Sequence, residues 1–196
     1  MTFKYVNRQP IASLISTIME DYSVSLTIGT ASVSKQAAAY VINNPRETKN
    51  AFTVKSTDEA ANILKISDSK AIADLKDSLK GYDLTSISTR DLATIGSKLY
   101  ESGLIDESVA SRFTSGTMAF DKDGQQTDKD TKFNAIAMFN QMLGDITKLG
   151  HAEPASMAQQ GFKNSISSLV AANHVVNALA YFVNSAQSDL SVKERA

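Results

Sequence analysis

Residues 169–183 read Leu-Val-Ala-Ala-Asn-His-Val-Val-Asn-Ala-Leu-Ala-Tyr-Phe-Val. The spacing predicts a helix that is apolar over nearly its whole circumference. A helix apolar on every side has to be covered on every side. Either the other helices of this chain wrap it, or a second subunit covers part of it. The expected fold class is therefore mainly α: a helical bundle around a central apolar helix at about 160–187, with a small mixed N-terminal part holding one or two short strands.

Working outward, the preceding helix shows Phe133, Ile136, Phe139, Leu143, Ile146 and Leu149 at three-or-four spacing, ended by Gly150. His151 to Pro154 forms the turn, and the central helix is expected from about Pro154 to Ser188. Before this pair, residues 115–130 are the longest polar stretch and are expected to be an exposed loop. Further upstream come capped helical segments. Ser56 or Thr57 precedes Asp58 and Glu59, and Ser67 or Asp68 precedes Ile72, Leu75 and Leu79, closed by Gly81. Ser88 stands three residues before Asp91, opening a stripe of Leu92, Ile95, Leu99 and Tyr100 that stops at Gly103. Asp106 caps a segment with Val109, Ala110 and Phe113 that ends at Gly116.

The N-terminal quarter is different. A short helix is expected over 10–21 and a strand over 22–28, where Tyr22, Val24, Leu26 and Ile28 alternate with polar residues. Residues 34–43 are expected to be helical, ended by Asn43-Asn44-Pro45. Residues 51–55 are expected to form a second short strand. The chain is read as a single domain over 1–196, with a possible sub-division into a mixed part at 1–55 and a helical bundle at 56–196. No internal repeat at a fixed period is present.

Composition narrows the function classes. The 196 residues carry 20 Lys+Arg against 21 Asp+Glu, a formal charge of -1, and the two signs are interspersed from end to end. That balance argues against coating nucleic acid or anionic membrane. There is no cysteine, which removes disulfides, thiolate catalysis and Cys-based metal sites. With two histidines, a three-histidine metal site within one chain is impossible. The 24 serines and 24 alanines give a style shared by exported bacterial proteins and ordinary helical ones. The start of the chain lacks a cleavable-signal pattern, because Ser13, Ser16 and Thr17 interrupt its apolar run. No membrane span is expected either. Location is thus left between the cytoplasm and export without a cleaved leader.

Three constellations could carry chemistry. With Gly124 on the glycine of a calcium loop, Asp121 and Asp123 take the third and fifth ligand positions and Asp130 the twelfth. Ala119 on the first position, Gln126 on the eighth and Asp in place of the terminal Glu are departures. Asp-Lys-Asp-Gly is also an ordinary turn sequence. Asn173, His174 and Asn177 are expected to join a polar network in the core or at an interface. His151 beside Glu153 has the composition of an acid–base pair. Two Ser-x-x-Lys matches, Ser32–Lys35 and Ser67–Lys70, equal the number chance provides, and the supporting elements of such enzymes are absent.

The segment 92–113, an apolar helix followed by Gly-Leu-Ile-Asp and a second capped helix, resembles the short bacterial helical hairpins of the SHOCT type. It covers about a tenth of the chain, and the resemblance implies a part in protein association. The expected function is a non-enzymatic interaction or structural protein, self-associating through helices, with a protein partner or a second copy and no cofactor. The alternative is an ion-binding or small-ligand module using 121–130. A third reading is an enzyme with Asp, Ser and Tyr residues assembled only in three dimensions.

Overall fold

The computed structural model describes residues 37–193, with side chains as far as Ser185. The expected helix at 10–21 and strand at 22–28 lie outside the described residues. Within them the protein is mainly helical. Its elements are α1 (Thr57–Ile63), α2 (Ser69–Ser78), β1 (Ile87–Ser88), α3 (Thr89–Glu101), α4 (Glu107–Ser115), β2 (Lys132–Phe133), α5 (Ala135–Ala152), α6 (Pro154–Met157) and α7 (Gln160–Lys193). β1 and β2 pair antiparallel, Ile87 opposite Phe133 and Ser88 opposite Lys132.

The helix starts follow from local chemistry. A helix leaves its first N–H groups without intrahelical partners, and a short polar side chain at the N-cap accepts one of them. Ser56 accepts from Glu59 N–H, Asp68 from Lys70 and Ala71, Ser88 from Asp91, Asp106 from Val109 and Asn134 from Ala137. At α3 the cap is reciprocal, since Ser88 Oγ also donates to Asp91 Oδ2 at 2.8 Å. The hydroxyl of Ser108 and the Val109 N–H together hold the Asp106 carboxyl below its ordinary range. Helix α4 ends at Gly116, whose φ of +52° disfavours any residue with a side chain.

Helix α7 is the axis of the bundle, and α1, α2, α4 and α5 pack around it. Over 169–183 its side chains are buried except Val170, Ala171, His174 and Tyr181. The coverage therefore comes from this chain's own helices. By length and composition, Gln160–Ser185 is apolar enough to cross a membrane, against the expectation of no such stretch, yet 61% of that window is buried inside the fold. Phe113, Phe139 and Phe182 are fully enclosed, with the rings of Phe113 and Phe139 centred 5.4 Å apart. Arg112 ties α4 to α7, donating from Nε to Ser168 Oγ at 3.0 Å. Its partial burial lowers its pKa, because desolvation disfavours the charged form.

Three expectations are corrected. Residues 37–43 are not helical: Ala37 pairs antiparallel with Phe120, and the chain runs along α5 from Tyr40 to Asn43 before a turn closed by Glu47 N–H donating to Asn44 O at 3.1 Å. Residues 51–55 are not a strand, because Asn50 folds the chain into a turn by accepting Phe52 N–H on Oδ1 at 2.9 Å. Finally, the helix expected from Pro154 is broken after Met157, giving the short α6 and the long α7.

Candidate functional site

The structure splits the expected polar trio of α7. Asn173 is fully buried; its Nδ2 donates to Phe139 O and to Leu169 O, each at 2.9 Å. Asn177 lies one turn on and donates to Asn173 O at 2.9 Å. Asn173 thereby ties Phe139, near the start of α5, to the middle of α7, while the Asn177 bond stays within α7. Asn173 Oδ1 is buried with no partner, a cost the fold carries at its centre. His174 is exposed and stands edge-on to the Phe52 ring, centroids 4.9 Å apart. It belongs to the surface and not to the core network.

The expected cation loop is not assembled. Asp121 Oδ1 accepts two N–H groups of its own turn, from Asp123 at 2.9 Å and Gln125 at 2.8 Å, and Gly124 completes the turn with φ +77°. Asp130 is held elsewhere, by Arg90 Nε at 2.7 Å and Nη2 at 3.0 Å. The guanidinium keeps the Asp130 carboxyl below its ordinary range. Among the described residues, no group of three or more His, Asp and Glu side chains could hold a metal ion. Turn formation and an ion pair thus use the Asp121 and Asp130 carboxylates, two of the three that the spacing suggested for calcium. The buried carboxylate nearby is Asp128, which accepts the Thr117 hydroxyl and leaves Oδ1 unpartnered.

The other candidates are likewise apart. His151 is exposed in the last turn of α5, and Glu153 accepts from Ser156 Oγ at 3.3 Å. Lys70 pairs with Asp74 at 2.6 Å. Ser32 and Lys35 lie outside the described residues.

Two surfaces lie outside the candidate sites expected from the sequence, although Leu143, Ile146 and Leu149 of the second belong to the expected apolar stripe of α5. The first is the face of α5 that carries Asn134, Asn140, Gln141 and Asp145. Gln141 Nε2 donates to Val41 O and its Oε1 accepts from Asn43 N–H, each at 2.7 Å. Asn134 Nδ2 donates to Pro45 O at 3.0 Å and Glu47 O at 2.7 Å, while its Oδ1 caps the helix. Asn140 donates to the Glu47 carboxylate at 2.6 Å, and Tyr40 donates its hydroxyl to Asp145 Oδ2 at 2.5 Å. Partial burial and that bond to Asp145 push the Tyr40 phenol up to about 12. A raised phenol pKa contributes stability that is complete below the unfolded value near 10 and is lost as pH climbs from there to the folded value. Tyr40→Phe is therefore expected to remove a loosening of residues 40–47 between pH 10 and 12, measured by amide exchange of that segment.

The second surface is the distal half of the α5–α7 hairpin. Met142, Leu143 and Ile146 are only partly buried, as are Phe162 and Ile166 across from them. Leu149 is 48% exposed and Met157 37%. Met157 and Phe162 pack directly over Gly150, where a Cβ would stand 2.3 Å from Met157 Sδ and 3.0 Å from the Phe162 ring. No family model, curated protein or solved structure matches the chain.

Proposed function

We propose that this chain is a non-enzymatic interaction or structural protein that self-associates through its helices, using the distal half of the α5–α7 hairpin. The observation that carries the reading is the incompletely covered apolar stripe of Met142, Ile146, Leu149 and Met157 at the end of the bundle. The core of α7 is satisfied within the chain, so association has no need of it. Contiguous exposed apolar surface marks interaction sites more often than isolated apolar residues do. The partner favoured is a second copy. A two-fold contact uses the same patch on both copies, so an apolar stripe of this kind can cover itself. Burying one leucine side chain fully is worth about 1.5–3 kcal/mol, and half-exposed residues on both copies add their remaining share.

The test is the solution mass by light scattering at two concentrations, for the wild type and for Leu149→Asp. The expected result is a dimer or larger species that shifts to monomer in the variant. A wild-type monomer at both concentrations overturns the proposal.

A further inference from the structure

Five buried side-chain atoms among the described residues have no hydrogen-bond partner, and three of them lie at one place: Thr89 Oγ1, Gln126 Nε2 and Asp128 Oδ1. Contacts close these residues into a ring. Thr117 donates its hydroxyl to Asp128 Oδ2. Gly116, its chain neighbour, lies against Thr89, so that a Cβ there would run into Thr89 Oγ1. Thr89 and Gln126 line one cleft together with Arg90 and Lys129. Arg90 N–H donates to Lys129 O at 2.9 Å, which ties the chain beside Asp128 to the start of α3.

Buried polar groups find partners, and a buried carboxylate needs a counter-charge as well. Asp128 is 8% exposed and Thr89 2%. No ion pair among the described residues includes Asp128, and Arg90 gives its guanidinium to Asp130. The atoms on offer are hard oxygens. Asp128 Oδ1 carries the charge, and Thr89 Oγ1 has its lone pairs. Thr117 Oγ1 keeps its own lone pairs while its proton goes to Asp128. A half-turn of the Gln126 amide exchanges Nε2 for Oε1. Hydroxyl, amide and carboxylate oxygens suit hard cations and not the softer transition metals.

The charge of the ion follows from its surroundings. Thr89 opens α3, whose positive end contributes about half an elementary charge, against the whole negative charge of Asp128. A single positive charge balances this site and a double one overshoots. Mg2+ is disfavoured further, because it gives up its waters reluctantly and these atoms are sealed from solvent.

We infer that Asp128, Thr117, Thr89 and Gln126 bind a bare alkali cation, sodium or potassium, between the loop that follows α4 and the start of α3. The site is separate from the expected set of Asp121, Asp123 and Asp130. It is also independent of the association reading, since it uses no residue of the α5–α7 hairpin.

The test is thermal unfolding of the full chain in choline chloride, with choline replaced stepwise by sodium or by potassium at fixed ionic strength. Choline is too large for a site of this kind and controls for general salt effects. An ion that binds only the folded chain raises Tm with the logarithm of its concentration, by roughly 3–5 °C per tenfold above half-saturation. Asp128→Asn keeps the shape and removes the charge, so its Tm should no longer depend on which cation is present. Thr89→Val removes one ligand oxygen at nearly constant shape and should raise the half-saturating concentration about tenfold, and it decides the matter where Asp128→Asn fails to fold. Equal wild-type Tm values in all three salts overturn the inference. A cation response left unchanged in the variants also overturns it, by placing the ion elsewhere.

Discussion

Phe113→Ala is expected to lower the free energy of unfolding by about 3–5 kcal/mol, the range for removing a fully enclosed aromatic side chain. That is a large part of the roughly 5–15 kcal/mol holding a domain of ordinary stability. The ring is 0% exposed and sits between α3 and Phe139. Its neighbour Gly96 gives the sharper test. A Cβ at Gly96 would stand 2.6 Å from Phe113 Cβ and 3.2 Å from Cγ. The closest atom belongs to the start of the side chain, which cannot swing away without moving α4. Gly96→Ala is therefore expected to cost about 1–3 kcal/mol by overpacking, although alanine is the better helix former. Phe113→Ala keeps its Cβ, so most of the Gly96→Ala cost should persist in the double variant. Denaturant unfolding of the four species measures this. Full relief in the double variant would show that α3 and α4 are held apart by the ring alone.

That pair also shows what was legible in the sequence. The α3–α4 hairpin could be read in advance because its signals are local: Ser88 and Asp106 as caps, Gly103 and Gly116 as stops, and apolar residues at helical spacing between them. The all-round apolar run at 169–183 announced the central helix for the same reason, since periodicity reports coverage. It could not say what does the covering, which here is the chain itself. Residues 37–43 were misread because Ala37, Ala38, Tyr40, Val41 and Ile42 have helical spacing. Partners some eighty to a hundred residues away, the Thr117 and Phe120 main chain and the Gln141 side chain, hold them extended instead. Long-range pairing overrides a propensity worth tenths of a kcal/mol per residue. The calcium-like spacing failed at Asp130, because nothing in its own loop reveals that Arg90, forty residues earlier, takes both carboxylate oxygens. Asn134 and Gln141 stand out in no local pattern, and only the path of residues 40–47 along α5 gives them a task.

The largest polar effect is expected at Asn173. The Asn173→Asp variant keeps the shape but replaces the two-bond donor with a carboxylate facing the Phe139 and Leu169 carbonyls, in a site with no cation. An unpaired buried charge of this kind costs on the order of 3–5 kcal/mol. The new carboxyl titrates well above the unfolded value of about 3.9, because burial favours its neutral form. The sign follows: the variant is least impaired below pH 4, and its deficit grows as pH rises through the interval up to the folded value. Asn173→Leu should behave otherwise. The two carbonyls keep their own intrahelical N–H partners, and the orphaned Oδ1 disappears, so losses and gains of about 1 kcal/mol each nearly offset. If both outcomes hold, the buried Asn173 amide is present less for stability than to set one register of α5 against α7. Amide-exchange protection across Phe139 and Leu169 decides it: Asn173→Leu should unfold at a similar denaturant concentration but lose protection there, whereas undiminished protection would leave Asn173 no part in the register.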